Sequence, residues 1–392
     1  MGVLAFWWPF AIPLITVLLA WKPYKVNRHK LIRKKKRERF RRTRKILKTD
    51  YDRLVQKGLR YYSDYRLKDF KLLGRAGWIF NKPREIGSIE IEFKEAHNPQ
   101  EYQKAIRRMC SFWPPGKGGI TLQRYSEAIS EYDQPTLWSE GTDTYRLVEV
   151  ELRDEQLKLS YELGKYHDAT DTQEAFGFVS GAGASLDRYL PRDPFDFRAR
   201  CASTAICTLT LIDSDPPQFI YHCRSSTAVH QGVGQFHIVP AGEFEPAVVD
   251  PRVNTDFDFW INIQREYAEE FLNLPDGLNE PLLDRPDQDH PSLRLLAELQ
   301  GSGDLTLWEY GLGLNPVSLK PEILVIAVLS PLAGKRILGD QLLDHEGTKR
   351  IRDFDYEELL HLIESPKTNP AAHALFKLAW RDRHRLLSNA PQ

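Results

Sequence analysis

The chain has 392 residues, of which 42% are hydrophobic and 28% are charged, so its composition is that of a globular protein with one large domain or two medium ones. No internal repeat or long low-complexity segment occurs, which excludes repeat and fibrous classes. The four cysteines include no Cys-x-x-Cys pair, and no Asn-x-Ser/Thr acceptor is present. These features favour a reducing, cytosolic environment for the body of the chain.

An uncharged apolar run opens the chain. It extends from Val3 to Trp21, about 19 residues, close to the roughly 20 that cross a bilayer as a helix. No early Lys or Arg precedes the run, and Trp21 is followed by Lys22 and Pro23 instead of a small-residue cleavage site. The sequence therefore predicts a transmembrane helix over residues 1–21 that is retained as an anchor.

A basic segment, which we call the basic collar, follows over residues 22–48. It holds 15 Lys or Arg residues against one acidic residue, Glu38, so the remainder of the chain carries 39 basic and 53 acidic residues. Basic residues beside a span stay on the cytoplasmic side, which predicts a single-pass protein of the cell membrane with a cytoplasmic C-terminal body. The collar would also contact anionic lipid head groups. Nucleic acid is the alternative partner, and the position beside a span makes it less favoured.

Strand patterns dominate the middle of the chain. Residues 22–72 read as a basic juxtamembrane and helical linker, and residues 73–143 as the N-terminal part of the cytosolic body. A strand is predicted over residues 88–93, where apolar and acidic residues alternate, and a hairpin over residues 145–163, turning at Arg153-Asp154-Glu155. Further strands are predicted over residues 204–212, 218–223, 305–312 and 323–329, with helices over residues 292–299, 356–363 and 371–387.

Two patterns resemble ligand sites without matching them. Residues 114–119, Pro-Pro-Gly-Lys-Gly-Gly, lack the Ser or Thr that follows the lysine of a phosphate loop, so a turn is predicted. The four residues His222, Cys223, His230 and His237 match no compact zinc-ligand spacing.

The segment over residues 259–271 is predicted to form a helix with two distinct sides. Phe259, Ile263, Tyr267 and Phe271 recur at i+4 spacing and would pack inward. Helical geometry brings Glu266 close to Glu269 and Glu270, at i+3 and i+4. Three carboxylates this close repel one another, and their hard oxygen atoms suit Mg²⁺ or Mn²⁺.

These residues resemble the second half of the Nudix box, Arg-Glu-aliphatic-x-Glu-Glu. Residues 236–246, with Pro240-Ala241-Gly242, look like the strand and glycine turn that open that box. The chain departs from the pattern at four points: Val248 stands where the family has a glutamate, about nine extra residues precede Arg265, Tyr267 replaces an aliphatic residue, and Leu272-Asn273 replace the closing glycine and aliphatic residue.

The resemblance implies a fold, an activity and a set of site residues. The expected fold is α+β, a Nudix-like mixed sheet flanked by helices over residues 144–392, behind the transmembrane helix and basic linker. Glu266, Glu269 and Glu270 would bind Mg²⁺ or Mn²⁺, Arg265 would join them as a catalytic residue, and Gly242 would contact substrate. The implied function is binding and hydrolysis of a nucleoside diphosphate derivative. The alternatives are a catalytically inactive, membrane-tethered nucleotide sensor and a protein-binding scaffold.

Overall fold

A computed structural model describes residues 31–95, 100–133, 142–223, 234–246, 256–272, 290–339 and 349–391. The helices are α1 over residues 31–49, α2 Tyr51–Tyr61, α3 Gln100–Met109, α4 Tyr125–Tyr132, α5 Tyr166–Ala169, α6 Ala175–Gly181, α7 Phe259–Phe271, α8 Pro291–Ser302, α9 Pro331–Leu338, α10 Tyr356–Glu364, α11 Pro370–Arg381 and α12 Arg383–Leu386. A π-helical segment, Thr170–Glu174, joins α5 to α6.

The strands are β1 Ile79–Glu85, β2 Glu90–Phe93, β3 Asp143–Arg153, β4 Gln156–Lys165, β5 Ala205–Ile212, β6 Gln218–Cys223, β7 Phe236–Ile238, β8 Ala241–Glu243, β9 Leu305–Leu314, β10 Pro321–Leu329 and β11 Lys349–Asp353. The larger sheet has eight strands, in the order β1-β9-β10-β5-β6-β11, with β7 paired to β6 and β8 paired to β5. Strands β5 and β10 are parallel, and β9 and β10 are antiparallel. The predicted mixed sheet with flanking helices is therefore confirmed.

A smaller sheet of three strands has the order β2-β4-β3. Its β3–β4 hairpin is the predicted one, and the turn residues Asp154 and Glu155 both have positive φ, 50° and 64°. The two sheets are joined where the backbone N–H of Leu147 donates to the carbonyl of Ala202 at 2.8 Å.

Helices cover both faces of the larger sheet. Ile206 and Ile323 face the side on which α7 and α8 pack, whereas the alternate residues Cys207 and Leu324 face α10 and α11. This alternation is the two-residue period of a strand buried on both faces. Strand β8, which carries Gly242, pairs with the first residues of β5, Ala205 to Cys207.

Part of the basic collar packs into the body as helix α1. Phe40, Arg44 and Leu47 recur at helical spacing and are 1%, 4% and 0% exposed. The Phe40 ring lies 5.1 Å from the Phe178 ring, and Nη2 of Arg44 lies 2.6 Å from Oδ2 of Asp133. Phe40, Arg44 and Leu47 therefore belong to the buried interior. The many charged residues around them make this hard to predict from the sequence.

The predicted transmembrane helix and the single-pass membrane localisation are corrected. Within the described ranges, no helix has both the length and the apolar character needed to cross a membrane. Helix α1 carries basic residues along most of its exposed length; Phe40 and Leu47 pack inside the protein, whereas Leu31 and Ile32 at its start are exposed. The apolar run from Val3 to Trp21 lies outside the described residues.

Candidate functional site

Helix α7 has the two sides that its sequence predicts. It begins after Asp258, whose carboxylate caps the helix by accepting a hydrogen bond from the Ile261 N–H at 3.1 Å. Phe259, Ile263, Tyr267 and Phe271 are all buried, between 0% and 6% exposed. The Tyr267 hydroxyl also lies 2.7 Å from the Thr210 hydroxyl of β5, so a hydrogen bond fixes the helix on the sheet.

The polar side of α7 meets strand β8 at Gly242. A methyl group added to Gly242 would overlap the carboxylate of Glu266, so the glycine provides the space that this side chain occupies. Gly242 pairs with Ile206 of β5, which sets its position relative to α7. The two parts of the sequence pattern, the glycine turn and the glutamate helix, thus lie in contact.

Carboxylates crowd around this contact, and we call Glu245, Glu266 and Glu269, with Arg265, the acidic site. Burial raises the pKa of Glu266 well above its ordinary value, and repulsion from Glu269, Glu270 and Glu245 raises it further, while Arg265 lowers it. Burial likewise raises the pKa of Glu245 to about 7. The Arg265 guanidinium donates to the backbone carbonyl of Glu245 at 2.8 Å.

Glu270 lies close enough to repel Glu266, but its own carboxylate has a cationic partner. Its carboxylate forms an ion pair with Lys349 of β11, with Oε2 and Nζ 3.1 Å apart, and Lys349 also donates to the Glu270 backbone carbonyl. The predicted metal set of Glu266, Glu269 and Glu270 is therefore divided between the Gly242 contact and the β11 ion pair. In the part of the chain that the structure describes, no group of three or more His, Cys, Asp or Glu side chains is arranged to hold a metal ion.

The donor chemistry of the acidic site nevertheless suits a hard cation. Carboxylate oxygens are the ligands that Mg²⁺ and Mn²⁺ accept. Carboxyl groups with raised pKa values gain most from a bound cation, because the cation relieves the repulsion that keeps them protonated. Glu266 has such a raised pKa, and Glu269 is the neighbouring carboxylate that repels it most. Val248 and Asn273 lie outside the described residues, and Leu272 forms the C-cap of α7.

A cavity of about 290 Å³ lies next to the acidic site, and the sequence did not predict it. Ala241 and Glu243 of β8 contribute to its wall, so one strand borders both features. Lys320, Glu174 and His237 also line it, and His237 stacks near His222, with ring centroids 5.9 Å apart. The residues that line the cavity come from segments that are distant in the sequence. The one feature of the sequence that could have pointed to it is Glu322, an acidic residue in the otherwise apolar strand β10.

Comparison of the chain with protein-family models and with curated proteins gave no match. The functional assignment therefore depends on the geometry of the acidic site and of the cavity.

Proposed function

We propose that this chain is a Nudix-like protein that binds a nucleoside diphosphate derivative together with Mg²⁺ or Mn²⁺ at the acidic site and hydrolyses its diphosphate. The contact between Gly242 and Glu266 carries the proposal. The two residues belong to separate halves of the sequence pattern, and a shared site requires that they meet. The raised pKa of Glu266 supports the same proposal, since carboxyl groups with strongly perturbed pKa values are frequent at functional sites.

Each residue has a distinct role in this proposal. Glu266 and Glu269 supply oxygen ligands, and a bound divalent ion would neutralise the diphosphate and lower the pKa of the attacking water. Arg265, held by the carbonyl of Glu245, fixes the orientation of this side of α7. Gly242 leaves the carboxylate of Glu266 room beside the backbone. Glu270 stabilises the site indirectly through Lys349.

The test measures thermal unfolding and product formation for the full chain with a panel of nucleoside diphosphate derivatives, in Mg²⁺ and in EDTA. Wild type should show a ligand-induced rise in unfolding temperature and metal-dependent products. Glu266→Gln and Glu269→Gln should lose both, because each removes an oxygen charge from the proposed metal ligands. Without metal, Glu266→Gln should be at least as stable as wild type, since it removes a buried, repelled carboxyl group.

Two further variants separate the site from its surroundings. Glu270→Gln should retain the ligand-induced shift, because Glu270 is paired with Lys349. Glu298→Gln, on the exposed surface opposite Arg336, is the matched control and should behave as wild type. Equal ligand-induced shifts in wild type, Glu266→Gln and Glu269→Gln would mean that the acidic site does not bind the ligand.

A second candidate is a nucleotide sensor that binds without cleavage. The observation that favours it is the pairing of Glu270 with Lys349, which leaves fewer carboxylates for a metal ion among the described residues. Saturable binding with no product, in the same experiment, distinguishes the sensor from the hydrolase. A protein-binding scaffold would show neither binding nor product.

A further inference from the structure

The cavity is built on a row of three neighbouring strands. Ala205 of β5 pairs with Glu322 of β10 on one side and with Glu243 of β8 on the other. Two glutamates thus flank Ala205, with their backbones about 10 Å apart by the usual strand spacing. Cys207 and Ala241 form the next row and also line the cavity. Small side chains therefore form its floor, and acidic side chains stand at its edges.

Several polar atoms that line the cavity are buried without a hydrogen-bond partner among the described residues. Nε2 of Gln235 and Oγ1 of Thr170 are such atoms, and the two residues are 4% and 1% exposed. Oε2 of Glu174 and Oε2 of Glu243 are two more. Burial of an unpaired polar group is destabilising, so a cavity that keeps four of them is suited to a ligand that satisfies them.

The charge of the cavity is negative. Lys320 donates to Oε1 of Glu243 at 2.6 Å, and that oxygen also accepts from the Ser203 hydroxyl at 3.2 Å. Glu174 and Glu322 raise the pKa of Lys320 in addition to Glu243, against the effect of burial. One ammonium group is thus shared by three carboxylates, and the surplus negative charge favours a cationic ligand.

The N-terminus of α11 also reaches the cavity, through Asn369. Its positive end is already satisfied in part, because Oδ1 of Asn369 accepts from the Ala371 N–H at 2.9 Å and the helix begins with Pro370. The carboxylates therefore determine the sign of charge that the cavity accepts.

We propose that this cavity is a second binding site, for a small organic cation with N–H donors, such as an amine or a guanidinium compound. Its N–H groups would donate to the free oxygens of Glu174 and Glu243, and an acceptor atom would meet Nε2 of Gln235. The volume of about 290 Å³ equals the share of roughly ten water molecules at about 30 Å³ each, which limits the ligand to a short compound. The inference does not depend on the proposed hydrolase activity.

The probes are putrescine, butanediol and succinate, which have the same chain length and carry positive, neutral and negative ends. Binding to the full chain is measured by calorimetry and by thermal unfolding, in EDTA. Putrescine should bind saturably, whereas butanediol should bind at least about ten-fold more weakly because it cannot form charge-assisted hydrogen bonds. Succinate should not bind.

Substitutions of residues that line the cavity test whether putrescine binds there. Glu174→Gln and Gln235→Leu should each weaken putrescine binding, the former by about ten-fold or more, since it removes a charged acceptor. Thr170→Val is a nearly isosteric third variant that keeps the test valid if Gln235→Leu unfolds. Glu269→Gln, in the acidic site, should weaken putrescine binding much less than Glu174→Gln does, because Glu269 does not line the cavity, so failure of the proposed hydrolase and failure of this site give different results.

The proposal is overturned if putrescine shows no saturable binding at millimolar concentration, or if butanediol or succinate binds as tightly. It is also overturned if Glu174→Gln, folded as judged by its own unfolding transition, binds putrescine with wild-type affinity. Loss of binding in Glu174→Gln with retention in Glu269→Gln supports it.

Discussion

Several carboxyl groups of this protein are held in surroundings that favour their neutral form. Glu309 of β9 is fully buried, at 0% exposure, and burial raises its pKa to about 7 even though the N–H groups of Ile89 and Gly87 donate to its carboxylate. Glu309 links β9 to the segment that contains Gly87 and Ile89. It does so at a small cost in free energy only while its carboxyl group is neutral. The stability of the protein should therefore depend on pH through Glu309.

Glu309→Gln tests this dependence. The pKa in the folded state is raised from 4.5 to about 7, so the unfolded state ionises first as pH increases. The contribution of Glu309 to stability is fully present below about pH 4.5 and is lost as pH rises through about 7. Relative to Glu309→Gln, wild type should therefore lose about 3 kcal/mol between pH 4 and pH 8, measured by urea unfolding.

The matched control for this measurement is Glu298→Gln. Arg336 lowers the pKa of Glu298, so its small effect should have the opposite sign, with wild type gaining as pH rises. A difference between wild type and Glu309→Gln that stays constant from pH 4 to pH 8 would contradict the prediction.

Individual residues of the acidic site were predicted unequally well. The spacing of Glu266 and Gly242 in a known pattern indicated that they would share a site, and they lie in contact. Glu270 was assigned to the same set, but Lys349 pairs with it from a strand that is distant in sequence. Helical spacing predicts which residues share a side of a helix, whereas the neighbours that compete for them depend on tertiary structure.

Among the helices, α7 was predicted with both of its sides, whereas α1 was predicted only as part of a basic helical linker. The i+4 aromatic spacing of α7 is a strong signal because its apolar side is continuous. In α1 the apolar positions are few, and a basic residue, Arg44, completes the buried stripe. Its guanidinium donates to the Tyr125 hydroxyl at 2.8 Å and to Asp133, which makes burial of its charge tolerable.

Arg44→Met should destabilise the protein by about 2–4 kcal/mol, because it leaves the partly buried Asp133 without this partner while keeping an apolar stem. Arg42→Met is the control, since Arg42 lies exposed on the same helix and should change stability by less than about 0.5 kcal/mol. Both values come from urea unfolding. Equal effects of the two variants would show that α1 is not packed as described.

Helix α1 also contributes to the stability of the whole molecule. Deletion of residues 1–49 would remove Phe40 and Leu47 from the core and uncover Tyr125 and Phe178, against which Phe40 packs. Loss of two buried apolar side chains of this size costs about 3–5 kcal/mol. We expect a clearly lower unfolding temperature and more binding of a hydrophobic dye than for the matched chain that begins at residue 31. Identical unfolding temperatures would contradict this.

The sequence predicted the components of the fold better than their assembly. Alternating and apolar strands gave the mixed sheet, and the β3–β4 hairpin was read from its turn. The cavity could not be predicted, because Thr170, Gln235 and Glu322 are brought together only by the pairing of β5 with β8 and β10. Local periodicity carries no information about which strand ends become neighbours.

Strand β8 borders both the cavity and the acidic site, so ligands bound at the two proposed sites would influence each other. Glu243 lines the cavity, and its charge contributes to the raised pKa of Glu245 in the acidic site. A cation that neutralises Glu243 would lower the pKa of Glu245, but its own positive charge would repel a second cation at the acidic site and so weaken binding there. Thermodynamic linkage is reciprocal, so a metal ion at the acidic site would reduce the affinity of the cavity by the same factor. Through strand β8, binding of a cation at one proposed site would therefore lower the affinity of the other.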